Sequence, residues 1–223
     1  ESSSNSNGSK MGGTDSAGSS NSEQGSGSTG DSSTSTEKYQ IQNNAVLLRN
    51  TSDIDWNELQ NQAENLYKSW TTITLDLNTM NVTSDDILAY NTNLDNLMIS
   101  LKEKNKINSA ICLANMYSLI PKYTNEISSD TTKSKLENVK SNIIFAYSIV
   151  ETDRWDDILK LLGQAETDLT ELMTMKENLS TMRKPKINKA YVLLKELIKS
   201  SNDKNVDIFY LKYINLIEEL DNL

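Results

Sequence analysis

Histidine is missing altogether from these 223 residues. Its absence removes the commonest general base near neutral pH, the usual zinc and haem ligand, and every Ser-His or Cys-His nucleophile pair. Cysteine occurs once, as Cys112. A lone thiol makes no disulfide within the chain and no multi-thiolate metal site, so we expect a small buried side chain there. Long apolar runs are also lacking: Ile143-Ile144-Phe145-Ala146-Tyr147, as long as any in the chain, falls far short of the roughly 18 residues that cross a bilayer. Positive charge is scarce, with 22 Lys and Arg against 31 Asp and Glu and a net charge of −9. Neutralising a phosphate backbone takes clustered Lys and Arg, so this balance argues against nucleic acid as a partner.

Helix breakers are rare outside the N-terminus. Seven of the eight glycines fall before residue 31, which leaves Gly163, and the only prolines are Pro121 and Pro185. Glu1–Thr36 is built almost wholly of Ser, Gly, Asn and Thr, with Met11 and Ala17 as its only apolar side chains. Ordering such a segment costs about 1–2 kcal/mol per residue with no apolar burial to offset it, so we expect a flexible tether. As a random coil it would extend about 30–36 Å, and stretched about 120 Å.

Beyond this segment the chain reads as amphipathic helix. Trp56, Leu59, Ala63, Leu66, Trp70, Ile73 and Leu77 alternate steps of three and four, the signature of one buried stripe. Ser52 and Asp55 are placed as the capping pair of this helix, and the polar Asn78–Ser84 stretch as its end. A second helix is expected from Asp85 to Lys104 (Ile87, Tyr90, Leu94, Leu97, Met98, Leu101), opened by Thr83 and Asp86. A third carries Ile107, Ile111, Ala114, Tyr117 and Ile120, with Pro121 at its end. A linking helix from Lys135 to Val150 presents Leu136, Val139, Ile143, Ala146 or Tyr147, and Val150, with Ser134 and Glu137 as its cap.

The pattern then recurs. Trp155, Ile158, Leu162, Ala165, Leu169 and Leu172 reproduce the first stripe 99 positions on, and Ile87, Leu94, Leu97, Asn105, Ile111, Asn115, Met116 and Ile120 meet Ile187, Leu194, Leu197, Asn205, Leu211, Asn215, Leu216 and Leu220 at a spacing of 100. A shared register across three helices suggests duplication.

Few residues suggest chemistry. Asp85–Asp86, Asp156–Asp157 and Glu218–Glu219 are candidate cation ligands or acid–base couples. The first two pairs fall in first helical turns, which favour acidic side chains, and the third on a solvated helix end. Without a calcium-loop pattern, capping and surface roles are preferred, and cation binding by convergent carboxylates stays an open alternative. Trp56, Trp70 and Trp155 lie on core stripes, whereas Tyr39, Tyr67, Tyr123 and Tyr210 are less clearly placed. Gly163 either permits close helix approach or is merely tolerated. The absence of a nucleophile elbow, a Walker-type phosphate loop or a basic patch argues against an enzyme.

Ile54-Asp55-Trp56 with Trp70 at helical spacing, Val150-Glu151-Thr152-Asp153, and the second start at Trp155-Asp156-Asp157 together make the chain from Asp53 onward resemble uncharacterised exported lipoproteins of Gram-positive bacteria, which pair a Ser/Gly-rich tether with a duplicated helical-bundle domain. Leu169 stands where the second unit would repeat Trp70. The resemblance implies a signal peptide ending in a lipidated cysteine upstream of Glu1, and a place on the outer face of the membrane or in the secreted fraction. It supplies no catalytic or binding residue.

We therefore expect an all-α protein. Residues 1–38 form the tether, 39–128 a first three-helix repeat, and 129–223 a linking helix with a second repeat. The expected function is a non-enzymatic surface lipoprotein whose bundle binds a protein or cell-wall component, with a small-ligand or cation-binding module as the alternative. No cofactor is expected, contact with the membrane runs only through the anchor, and the binding and metal residues remain unassigned.

Overall fold

The computed structural model describes residues 54–80, 82–175 and 183–223. Within them every regular element is helical: α1 (Trp56–Leu77), α2 (Ser84–Lys102), α3 (Lys106–Tyr117), α4 (Ile120–Ile127), α5 (Thr131–Ser148), a single 3-10 turn (Val150–Thr152), α6 (Trp155–Thr174), α7 (Arg183–Asn202) and α8 (Val206–Asp221). The expected tether, Tyr39 and Ser52 lie outside the described residues. No described helix is long and apolar enough to cross a membrane.

The starts of the helices reflect local chemistry. Asp55, one of the two residues expected to mark this start, caps α1 by accepting the Glu58 N–H at 3.0 Å. Thr83 and Asp86 form the expected box, with the Asp86 N–H donating to Thr83 Oγ1 and the Thr83 hydroxyl to Asp86 Oδ2. Each such cap satisfies an otherwise unpaired N–H, typically a gain of about 1 kcal/mol. Pro121 does not merely end the third helix. It sits in the first turn of the separate helix α4, where its missing N–H has no intrahelical partner to lose. Asp130, not Ser134, caps α5. Ser134 lies inside that helix, buried, and its hydroxyl donates to Pro121 O at 3.3 Å.

The turns α2–α3 and α7–α8 share one geometry. Lys104 and Lys204 both take left-handed backbone, φ 54° and 51°, and the Asn105 and Asn205 N–H groups reach back to Ser100 O and Ser200 O. This is the Schellman closure of a helix. The same asparagines then cap the next helix, accepting from the Asn108 and Ile208 N–H groups.

Two apolar clusters hold the fold. One joins α1–α4 through Trp56, Trp70, Tyr90, Leu94, Leu97 and Tyr123. The other joins α5–α8 through Val139, Ile143, Trp155, Ile158, Leu162, Leu169, Leu194, Leu197, Phe209 and Leu216. Each fully buried Leu, Ile or Phe contributes about 1.5–3 kcal/mol. All three tryptophans are core residues, and Trp70 stacks on Tyr90 with ring centroids 3.7 Å apart. Cys112 is buried, and its desolvation raises the thiol pKa. Gly163 faces open space, so close helix approach is not its role.

The two units differ in how their first helix is covered. In α6, Trp155, Ile158, Leu162, Ala165, Leu169 and Leu172 are all buried, because α5 packs along one side and α7 along the other. In α1, Trp56, Ala63, Trp70 and Leu77 are buried against α2, while Leu59 and Ile73 stay 37% and 45% exposed and Leu66 is half-buried. Register with the first unit also fails at Leu211, which is exposed although its counterpart Ile111 packs against the second cluster.

Candidate binding groove

The half-covered side of α1 opens onto a groove of about 460 Å³. Its walls come from four helices: Trp56, Leu59, Ala63 and Leu66 of α1, Ala110 and Leu113 of α3, Ile144 and Tyr147 of α5, and Tyr213 of α8. That volume lies within the roughly 300–1,000 Å³ typical of ligand pockets.

The few polar groups at its edge already have partners. Lys106 Nζ donates to Glu151 Oε1 at 2.7 Å and lies 5.7 Å from the Tyr210 ring centroid. The Tyr210 hydroxyl donates to the same carboxylate oxygen at 2.5 Å. Ser109 Oγ donates to Asn105 O and sits 2.9 Å from Ser100 Oγ. Tyr147 stacks on Tyr213 at 4.3 Å and meets Tyr210 edge-on at 5.5 Å. Burial raises the pKa of both Tyr147 and Tyr213, with Glu151 adding to the first and Tyr147 and Asp221 to the second. Such a surface binds by excluding water from apolar area, with the ionised pair at one edge.

None of the carboxylate pairs singled out from the sequence lines this groove. Asp86 accepts from Lys122 Nζ at 2.6 Å and from Thr83, contacts that lower its pKa. Asp157 pairs with Arg154 at 2.7 Å. Glu219 corrects the expectation of a solvated helix end: it is buried and pairs with Lys189 at 2.5 Å. Among the described residues no three His, Cys, Asp or Glu side chains converge as a metal site would need. Of the tyrosines left unplaced, Tyr123 and Tyr210 are core and Tyr67 is 47% exposed.

Sequence reasoning missed Tyr147 and Tyr213 as wall residues. Tyr147 shares its helical face with Ile144, one turn earlier, and that spacing was the available signal. No family model matches this chain, and no curated protein or solved structure matches it at a significant level.

Proposed function

We propose that this protein is a non-enzymatic binding module of the cell envelope, whose duplicated helical bundle engages a protein or wall component through the groove bordered by α1, α3 and α5. The observation that carries the reading is the groove itself. Its walls are apolar, and Lys106 and Ser109 at its edge are bonded to other protein groups, so it offers burial and no positioned nucleophile or acid–base pair. The Ser/Gly-rich segment would space this bundle from a lipid anchor upstream of Glu1, on the outer face of the membrane of a Gram-positive cell. The matched turns at Lys104 and Lys204 support the duplication.

The groove's volume also favours a second reading, a small apolar ligand in place of a macromolecule.

Crosslinked capture on intact cells tests the first reading, using the parent chain beside a Leu59→Asp/Leu113→Asp variant. We expect an envelope component that the parent recovers and the variant does not. Recovery indifferent to the groove, or a chain confined to the cytosol, refutes it. A thermal shift above about 2 °C with one apolar metabolite would favour the second reading.

A further inference from the structure

The polar atoms of the groove narrow what it can hold. Of the described residues on its walls only Lys106 is charged, and its ammonium is held by Glu151 Oε1 at 2.7 Å. The Gln62 side-chain amide donates to Glu58 at 2.9 Å, and the Ser109 hydroxyl to Asn105 O at 2.8 Å. Two groups are left over. Among the described residues the hydroxyls of Tyr147 and Tyr213, both wall residues, have no hydrogen-bond partner. Their rings stack at 4.3 Å with 19° between the planes, so the two phenols are fixed in place before any guest arrives.

The same residues set the charge of that guest. Burial raises the pKa of both tyrosines, so at neutral pH each is a protonated phenol able to donate. Glu151 adds to the rise at Tyr147, and Tyr147 and Asp221 to that at Tyr213. Negative charge near the pair therefore opposes an anion beside it, and an anion at the edge competes with Glu151 for Lys106. A cation meets no carboxylate on the described walls, and leaving water for apolar surroundings without a counter-charge is costly. A neutral apolar body carries no such cost. It covers Leu59 and Leu113, which are 37% and 47% exposed, and the half-buried Leu66 and Ile144.

We propose that the groove takes an uncharged, largely apolar small molecule bearing a carbonyl-type acceptor. Its apolar body lies against Leu59, Leu66, Leu113 and Ile144, and its acceptor receives a hydrogen bond from the Tyr147 or Tyr213 hydroxyl. The inference rests on the small-ligand reading of the groove and adds to it the charge and the polar group of the ligand.

Three probes with the same carbon chain test this by calorimetry on the full-length protein: methyl decanoate, decanoate and decyltrimethylammonium. The ester should bind about tenfold or more tightly than either ion. The Leu59→Asp/Leu113→Asp variant should lose that binding, which places the ester in the groove. Tyr147→Phe/Tyr213→Phe should bind the ester about threefold to tenfold more weakly. This variant should melt within about 2 °C of the parent, since the deleted hydroxyls bond no described protein group. The infrared carbonyl band of the bound ester should lie at lower frequency in the parent than in the phenylalanine variant. An ion that binds as tightly as the ester overturns the inference. So does ester binding that is unchanged by loss of both hydroxyls; the groove then still holds a small ligand by apolar burial, and only the chemistry assigned to it fails. If no probe binds, or the aspartate variant binds the ester as well as the parent does, the small-ligand reading falls too. Should the phenylalanine variant not fold, the ranking of the three probes on the parent decides.

Discussion

Replacing Glu151 by leucine should loosen the seam between the two helical units. Glu151 lies just after α5, and its Oε1 accepts from Lys106 at the start of α3 and from Tyr210 of α8. The Lys106 and Glu151 side chains are 18% and 24% exposed, so solvent screens the pair only in part. A hydrogen bond to a charged group contributes about 1.5–3 kcal/mol. E151L also leaves the mostly buried Lys106 ammonium without its carboxylate, the more damaging way to break such a pair. We expect a loss of roughly 2–4 kcal/mol, read as a fall in Tm of about 5–10 °C for a fold of this size. Thermal melts and urea midpoints on E151L, Lys106→Met and the double variant close a cycle. The double variant should recover more than half of the loss, because removing both charges leaves neither stranded. If E151L melts within about 0.5 kcal/mol of the parent, or the double variant is no better than E151L, Lys106 finds water elsewhere and the seam is not electrostatic.

Gly163→Ala should raise stability by about 0.5–1 kcal/mol, since the added Cβ meets open space and alanine removes the backbone-entropy penalty of glycine within a helix. An unchanged or lowered Tm would contradict this. Acid should weaken the fold through Asp86 and Glu166, whose pKa values are lowered by hydrogen bonds chiefly from Lys122 and Lys195 respectively. Their contribution is present above the unfolded pKa values, about 3.9 and 4.3, and is lost as pH falls through the folded ones. Urea midpoints between pH 6 and pH 3 should drop less in Asp86→Asn/Glu166→Gln than in the parent; equal slopes would rule these two groups out.

Helical periodicity was enough to place most elements. The stripes from Trp56 and Trp155 run along α1 and α6, and Thr83–Asp86 opens α2, because spacing and caps are local properties of the chain. Where the local pattern was ambiguous, packing chose. Ser134 and Glu137 spell a capping box, yet Asp130 starts the helix earlier. Ser134 then bonds Pro121 O, and Glu137 accepts the Tyr117 hydroxyl at 2.6 Å. Pro121 fits a helix end and a helix start equally well, and only the separate first turn of α4 distinguishes them. Glu219 looked solvated because it falls near a helix end. The rotation of α8 turns it inward toward Lys189.

By itself, then, the sequence determined an acidic all-helical chain with apolar stripes of matching register, a lone buried thiol, and no residues for histidine-based chemistry. The tertiary structure decided which stripes are covered. Leu59 and Ile158 each stand three positions after the tryptophan that opens their stripe, yet one is 37% exposed and the other fully buried. Periodicity specifies which face of a helix is apolar. Whether another helix lies against that face depends on how segments distant in sequence converge, and among the described residues those that converge on α1 leave the groove.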